Sequence, residues 1–278
     1  MAPHSTPPPP PEPTALPEIP LTGGRLTPGV VRVGDTVRRP ASEAAPFVAA
    51  LLTELRRRGF TGAPRHLGRD DRGRDVLEYL PGRLPARFRR WADDQVATAA
   101  ALLRALHEAT RGGRLAGGHP VVCHHDPGPN NTVFRDGRPV AFLDFDLAAP
   151  GEPLSDLGYL GWTWCLSGKP GAAPPPAQAA QLRLAADAYG LAPAERGALV
   201  DAVLARQLAN AAFWRARARA RVRARVRARD VDPHAEAERC AEAERCAQAE
   251  RCAERVDWSL REHAHVTAHR AAFEAALR

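Results

Sequence analysis

Lysine is almost absent from these 278 residues: it occurs once, at Lys169, so the net charge of +7 is an arginine charge. Such an excess attracts anions in general, and nucleotide or nucleic acid satisfies it equally. Cysteine is scarce: Cys123, Cys165, Cys240, Cys246 and Cys252 make an odd number without framework spacing. That excludes a disulfide-stapled secreted scaffold and points to a reducing interior. No apolar run approaches the roughly 20 residues that a membrane-spanning helix needs. The N-terminus also lacks the basic-then-apolar pattern of a signal peptide. The expectation is a soluble, cytoplasmic protein without a membrane partner, long enough for two lobes and a substantial core.

What the chain does have is concentrated in residues 121–160. Val121 and Val122 lead into His124, His125, Asp126, Asn130 and Asn131, and a second apolar run, Val140 to Leu143, delivers Asp144 and Asp146. Asp136-Gly137 sits between them, the strongest short hairpin signal available. A two-residue turn there sets Val133 opposite Val140 and Asn131 opposite Phe142, making Asn131 and Asp144 diagonal neighbours. An amide oxygen beside a carboxylate is the hard-oxygen pair that Mg2+ takes together with substrate phosphates. Asp126 precedes them in a loop stiffened by Pro127 and Pro129. From there it could orient a hydroxyl and accept its proton.

This pattern, His124-x-Asp126 with Asn131 five residues after the Asp, then Asp144-Phe145-Asp146 and Asp156-Leu157, resembles the aminoglycoside phosphotransferase family of small-molecule kinases. The resemblance implies an α+β, two-lobed protein-kinase-like fold, with a small β-rich N-lobe and a mainly helical C-lobe. It implies ATP and Mg2+ as cofactors and a small-molecule hydroxyl acceptor. Asp126 becomes the catalytic carboxylate, Asn131 and Asp144 the metal ligands, and Asp156 an anchor for the loop backbone. Only eleven residues separate Asp144 from Asp156, too few for a peptide-docking segment. The chain departs from the family in placing His125 where the family has glycine. A catalytically weak or inactive nucleotide-binding module is the alternative that this departure leaves open.

The resemblance divides the chain into a disordered proline-rich arm (1–20), a nucleotide-binding N-lobe (21–80) and a C-lobe (81–278). The arm contains five consecutive prolines, Pro7 to Pro11. Gly23, Gly24 and Gly29 form either a degenerate phosphate loop or a plain hairpin. The family's strand lysine is missing, so Arg38 or Arg39 supplies the charge; alternate strand residues face opposite ways, so only one of them can, and likeness of Val37-Arg38-Arg39-Pro40 to the family's strand puts Arg38 in the role. Glu43 and Glu54 are candidates for the helix glutamate that pairs with that strand. Helices are expected from Pro46 to Gly59 and from Trp91 to Thr110, where His107 reads as structural. Between them, Asp75 to Gly82 reads as a strand and turn resembling the inter-lobe hinge, with Glu78, Tyr79 and Leu80 offering backbone groups to adenine. The same pattern also describes any edge strand.

The C-terminal third reads as helices over 177–189, 193–229 and 234 onward. Eight arginines alternate through residues 215–229. With no interleaved aromatics they read as a solvated helix end rather than a nucleic-acid site. Cys240, Cys246 and Cys252 repeat every six residues. That spacing turns a helix by about 600° and so points them roughly 120° apart. One helix therefore cannot bring them to a single metal.

Overall fold

The structure, a computed structural model, describes residues 16–21, 29–85, 90–229 and 236–278. The proline run, Gly23 and Gly24 lie outside the described residues. A five-stranded antiparallel sheet comes first, built from β1 (Ile19–Pro20), β2 (Val31–Val33), β3 (Thr36–Arg39), β4 (His66–Arg69) and β5 (Asp75–Glu78) in the order β1-β2-β3-β5-β4. Helix α1 (Ala45–Arg57) starts one residue before Pro46, a ring that suits the first helical turn. Its Val48, Leu51, Leu52 and Leu55 fall at helical spacing, are buried, and join the main core. The carbonyl ends face Arg56 and Arg57, cations placed at the negative end of the helix.

Helix α2 (Asp93–Thr110) carries Asp93 and Asp94 in its first turn, where the helix dipole favours acid. Its buried stripe of Val96, Ala99, Ala100, Leu103 and Leu106 is the spine of the helical lobe. Strand β6 (Val121–Cys123) pairs with β9 (Ala149–Gly151), and β7 (Thr132–Arg135) pairs with β8 (Arg138–Phe142). The helical remainder is α3 (Pro153–Leu160), α4 (Pro175–Tyr189), α5 (Pro193–Arg196), α6 (Leu199–Arg229), α7 (Glu236–Ala268) and α8 (Arg270–Leu277). Helix α3 passes directly into one π-helical turn over Gly161–Cys165. Gly158 explains how closely α3 crosses α6: a Cβ there would stand 2.7 Å from the Ala202 backbone.

The Asp136-Gly137 turn forms as expected, with both residues at positive φ (50° and 77°) as a primed turn demands. The register does not hold along the whole hairpin. A bulge between Val133 and Phe134 moves Val133 opposite Ala141 and Thr132 opposite Phe142. A bulge adds one unpaired residue to one strand, and no side-chain pattern marked it. Its cause lies across the strand, where Arg83 exchanges two backbone hydrogen bonds with Phe134. Gly82 permits that approach, at φ 154°, because a Cβ would sit 2.5 Å from Val133 Cγ1 and 2.7 Å from the Phe134 carbonyl.

Candidate active site

The shifted register sets Asn131 against the residue that precedes Asp144. Leu143 N–H donates to the Asn131 carbonyl at 2.7 Å, so Asp144 follows directly on the residue paired with Asn131. The Asn131 side-chain amide donates to the Asp126 carboxylate at 2.7 Å and to its carbonyl at 3.0 Å. Its Oδ1 accepts from Asn130 at 2.7 Å. Asn131 is buried and Asp126 half-buried. Asp126, Asn131 and Asp144 are therefore one cluster.

Two residues of this cluster region hold left-handed backbone without being glycine: His125 (φ 62°) and Asp144 (φ 62°). Asp tolerates that region, whereas for a bulkier side chain it costs on the order of 1–2 kcal/mol. This is the physical reason a glycine suits the place of His125. The strain at His125 is held from three directions. Asp156, fully buried in α3, accepts the N–H groups of His124 and His125 at 2.6 and 2.7 Å. Arg206 from α6 donates to the His125 carbonyl at 2.7 Å. The buried His124 ring accepts the Asp126 N–H on Nδ1 at 3.2 Å and meets the Leu143 carbonyl through Nε2 at 3.0 Å. The tautomer protonated on Nε2 satisfies both contacts, so His124 braces the loop. His107 completes the anchor, contacting Asp156 at 3.1 Å and the Tyr189 hydroxyl at 2.7 Å.

Burial alone would push the Asp156 carboxyl up, but the His107 hydrogen bond and the neighbouring histidines hold it down at about 2. His107, Cys123 and Asp156 place potential ligand atoms within 4.8 Å of one another. Both Asp156 oxygens are already spent on the loop, and burial followed by the Asp156 charge pushes the Cys123 thiol well up. A protonated thiol is a poor ligand, so this knot is structural.

Around Asp144 the balance is opposite. Its side chain opens on the cleft, yet the surrounding protein desolvates it enough to push its carboxyl up. The Asp146 and Asp126 carboxylates push it further, and Arg39 pulls against them. Asp144 and Asp146 thus share the one Arg39 guanidinium, and an exposed carboxylate in that setting suits a divalent cation.

The two strand arginines have different partners. Arg38 shares a face of the sheet with Asp70, 3.9 Å away, while Arg39 reaches across to Asp146 in a close ion pair. Along β3, Arg38 lies opposite Val76 and Arg39 opposite Asp75. Neither helix glutamate meets Arg39. Glu43 is exposed, and Glu54 is occupied by Arg57 and Arg58 at 2.7 and 2.9 Å. Asp146, which sequence reasoning noticed but gave no role, takes that place. Nothing in the sequence singled out Arg206 among so many arginines.

The hinge expectation also narrows. Glu78 N–H donates to the Arg65 carbonyl and Tyr79 N–H to the Asp35 carbonyl, each at 2.9 Å, so neither donor is open to adenine. The sheet has consumed them, because Asp35 lies in the β2–β3 turn and Arg65 directly precedes β4. The Glu78 carboxylate pairs with Arg65, and the Tyr79 ring lies under the Arg32 guanidinium at 3.9 Å.

Comparison with known proteins agrees with this arrangement. A profile described as the phosphotransferase enzyme family, APH, matches residues 113–199, which hold Asp126, Asn131, Asp144 and Asp156. The trifolitoxin immunity protein of Rhizobium leguminosarum bv. trifolii is 32% identical over 209 residues, 67% of this chain and 79% of that protein. Among solved structures, a choline/ethanolamine kinase family protein from Mesorhizobium loti superposes with a TM-score of 0.52 at 19% identity, covering 94% of this chain and 92% of its own. The gentamicin complex of APH(2")-IIa gives 0.50 at 13% identity, over 72% of this chain and 83% of its own. The fold is thus protein-kinase-like, with its small sheet ahead of a helical lobe. This chain belongs to the APH phosphotransferase enzyme family.

Proposed function

We propose that this phosphotransferase moves the γ-phosphoryl group of ATP to a hydroxyl of a small molecule. The observation that carries the reading is the cluster itself. Asp126, Asn131 and Asp144 are joined through one hairpin, with the exposed Asp144 carboxylate beside that of Asp146. Asn131 Oδ1 and the Asp144 carboxylate would hold Mg2+, and Asp146 is near enough to contribute. Bound there, Mg2+ supplies charge neutralisation on the phosphate oxygens. Asp126 accepts the proton of the acceptor hydroxyl as the oxygen attacks. Its carboxylate is oriented for this by the Asn131 amide and its backbone by His124.

Arg39, already held by Asp146, faces the phosphates in the role that the sequence reading gave to Arg38. A guanidinium can grip two phosphate oxygens at once. With the Glu78 and Tyr79 N–H groups engaged, the Leu80 N–H is the hinge donor left for adenine among residues 78–80. Phosphoryl transfer is mostly positioning and electrostatics, which suits a loop anchored from three sides.

Purified protein with γ-labelled ATP and Mg2+ tests the reading against an acceptor panel of aminoglycosides, amino alcohols, aromatic alcohols and trifolitoxin. Trifolitoxin joins the panel because of the relative named as an immunity protein against it. Label should pass to at least one acceptor, and Asp126→Asn should slow that transfer by about 10^2–10^4-fold while leaving nucleotide binding intact. Nucleotide binding without transfer to any acceptor would favour the inactive binding module instead.

A further inference from the structure

Arg39 and Asp146 lie 107 residues apart in the chain, and their ion pair ties strand β3 to the short turn that follows Asp144. Arg39 donates through Nη2 to Asp146 Oδ2. The two side chains are only 12% and 24% exposed, so water screens the pair less than it screens a surface bridge. Among the described residues neither side chain has another hydrogen-bond partner.

A glutamate on helix α1, the holder expected for the strand cation, would be a separate group from the metal ligands. Glu54 is taken by Arg57 and Arg58, and Glu43 is exposed. The holder is instead Asp146, two residues after Asp144, and close enough that its charge pushes the Asp144 carboxyl up. Arg39 acts on Asp144 in the opposite direction, so it too is near. A divalent ion at Asp144 therefore arrives beside a guanidinium, and two cations a few ångströms apart repel. Metal-free nucleotide meets the converse obstacle. Its phosphates approach two carboxylates, while the cation that would receive them is held by one of the two.

Resting on the phosphotransferase reading above, we infer that Asp146 is an exchangeable holder. In the free protein it closes on Arg39. When nucleotide and Mg2+ enter together, Asp146 turns to the ion and releases the guanidinium to the phosphates. Neither ligand alone completes the exchange, so the site binds each one weakly and takes the two as a unit. The coupling is reciprocal: whatever factor the metal adds to nucleotide affinity, nucleotide adds to metal affinity.

Fluorescence titration of the full-length protein with a fluorescent ADP analogue, in EDTA and in Mg2+, tests the exchange. Four forms are compared: wild type, Asp146→Asn, Arg39→Gln and the double variant. Asp146→Asn frees the guanidinium, so it should tighten metal-free binding by about 3–10-fold and shrink the gain on adding Mg2+. In the Arg39→Gln background there is no guanidinium to free, and the same substitution should change metal-free affinity by less than about two-fold. Equal tightening in both backgrounds would overturn the proposal, because loss of a negative charge would then account for it without any exchange. Unchanged or weaker metal-free binding in Asp146→Asn would overturn it too. Asp146→Ser, which also removes the charge, repeats the comparison if the amide folds poorly. No binding of the analogue to the wild type in Mg2+ would sink the phosphotransferase reading and the exchange with it. Binding there with additive variants would sink the exchange alone.

Discussion

The loop from Cys123 to Asn131 and strand β3 both present charged groups to the same cleft, but they are held very differently. The loop is fixed by three partners: the buried Asp156, the half-buried Arg206 and the buried His124. The strand offers two adjacent arginines, and only the sheet's register decides which one turns inward. Arg39 forms an ion pair with Asp146 and lies near Asp144, where the family expectation was a helix glutamate. The loop's geometry is over-determined, whereas the charge that the proposed function assigns to the phosphates rests on those two carboxylates.

The largest effect should come from cutting the loop's main anchor. Asp156→Ala strands two buried N–H groups and removes the partner of His107, which should cost roughly 3–5 kcal/mol in urea unfolding. The same contact sets an acid limb. The Asp156 carboxyl is lower folded, at about 2, than its ordinary value of 3.8. Its contribution is therefore fully present above about pH 4 and is lost as the pH falls towards 2. Urea midpoints measured between pH 5 and pH 2 should drop across that window, and Asp156→Asn should flatten the drop. An equal acid limb in Asp156→Asn would place the effect elsewhere.

A smaller effect separates the two arginines. Arg39→Gln should weaken binding of Mg2+–ATP by about 10–100-fold, the range of a lost charge-assisted contact. Arg38→Gln, on the other face with Asp70, should change it by less than about two-fold, as surface ion pairs do. Fluorescence titration with a nucleotide analogue measures both, and the reverse order would return the role to Arg38. The smallest effect tests strain. His125→Gly relieves a left-handed backbone and deletes a buried, unpartnered ring nitrogen, Nδ1. It should raise the melting temperature by about 2–4 °C, corresponding to roughly 1 kcal/mol. A lower melting temperature would mean that the imidazole contributes packing beyond the cost of its backbone.

The same contrast explains how far the sequence could be read. Asp136-Gly137 specifies its turn through local backbone chemistry, and the Asp126-to-Asn131 spacing lies within one short loop, so both were legible. Helix α1 was legible because its apolar stripe has one period and its last turn is basic. What was hidden is non-local. The Val133–Phe134 bulge depends on Arg83, about fifty residues earlier in the chain. The choice between Arg38 and Arg39 depends on pairing with β5. The loss of Glu78 and Tyr79 as donors depends on Arg65 and Asp35. Gly29 is described at φ 78°, but Gly23 and Gly24 lie outside the described residues, so the glycine-loop expectation gains nothing from the fold. The arginine run lies on α6, as expected of a helix end, and the cysteine repeat lies on α7.

The central claim is that Asn131 and Asp144 hold one divalent cation beside Asp126, on the open side of a carboxylate cluster. Electron paramagnetic resonance of Mn2+ titrated into the protein with ADP tests it without requiring turnover. Wild-type protein should bind one ion saturably with nucleotide, and Asp144→Asn should abolish that binding while the fold persists by circular dichroism. Undiminished Mn2+ binding in Asp144→Asn, or none in the wild type, would contradict it.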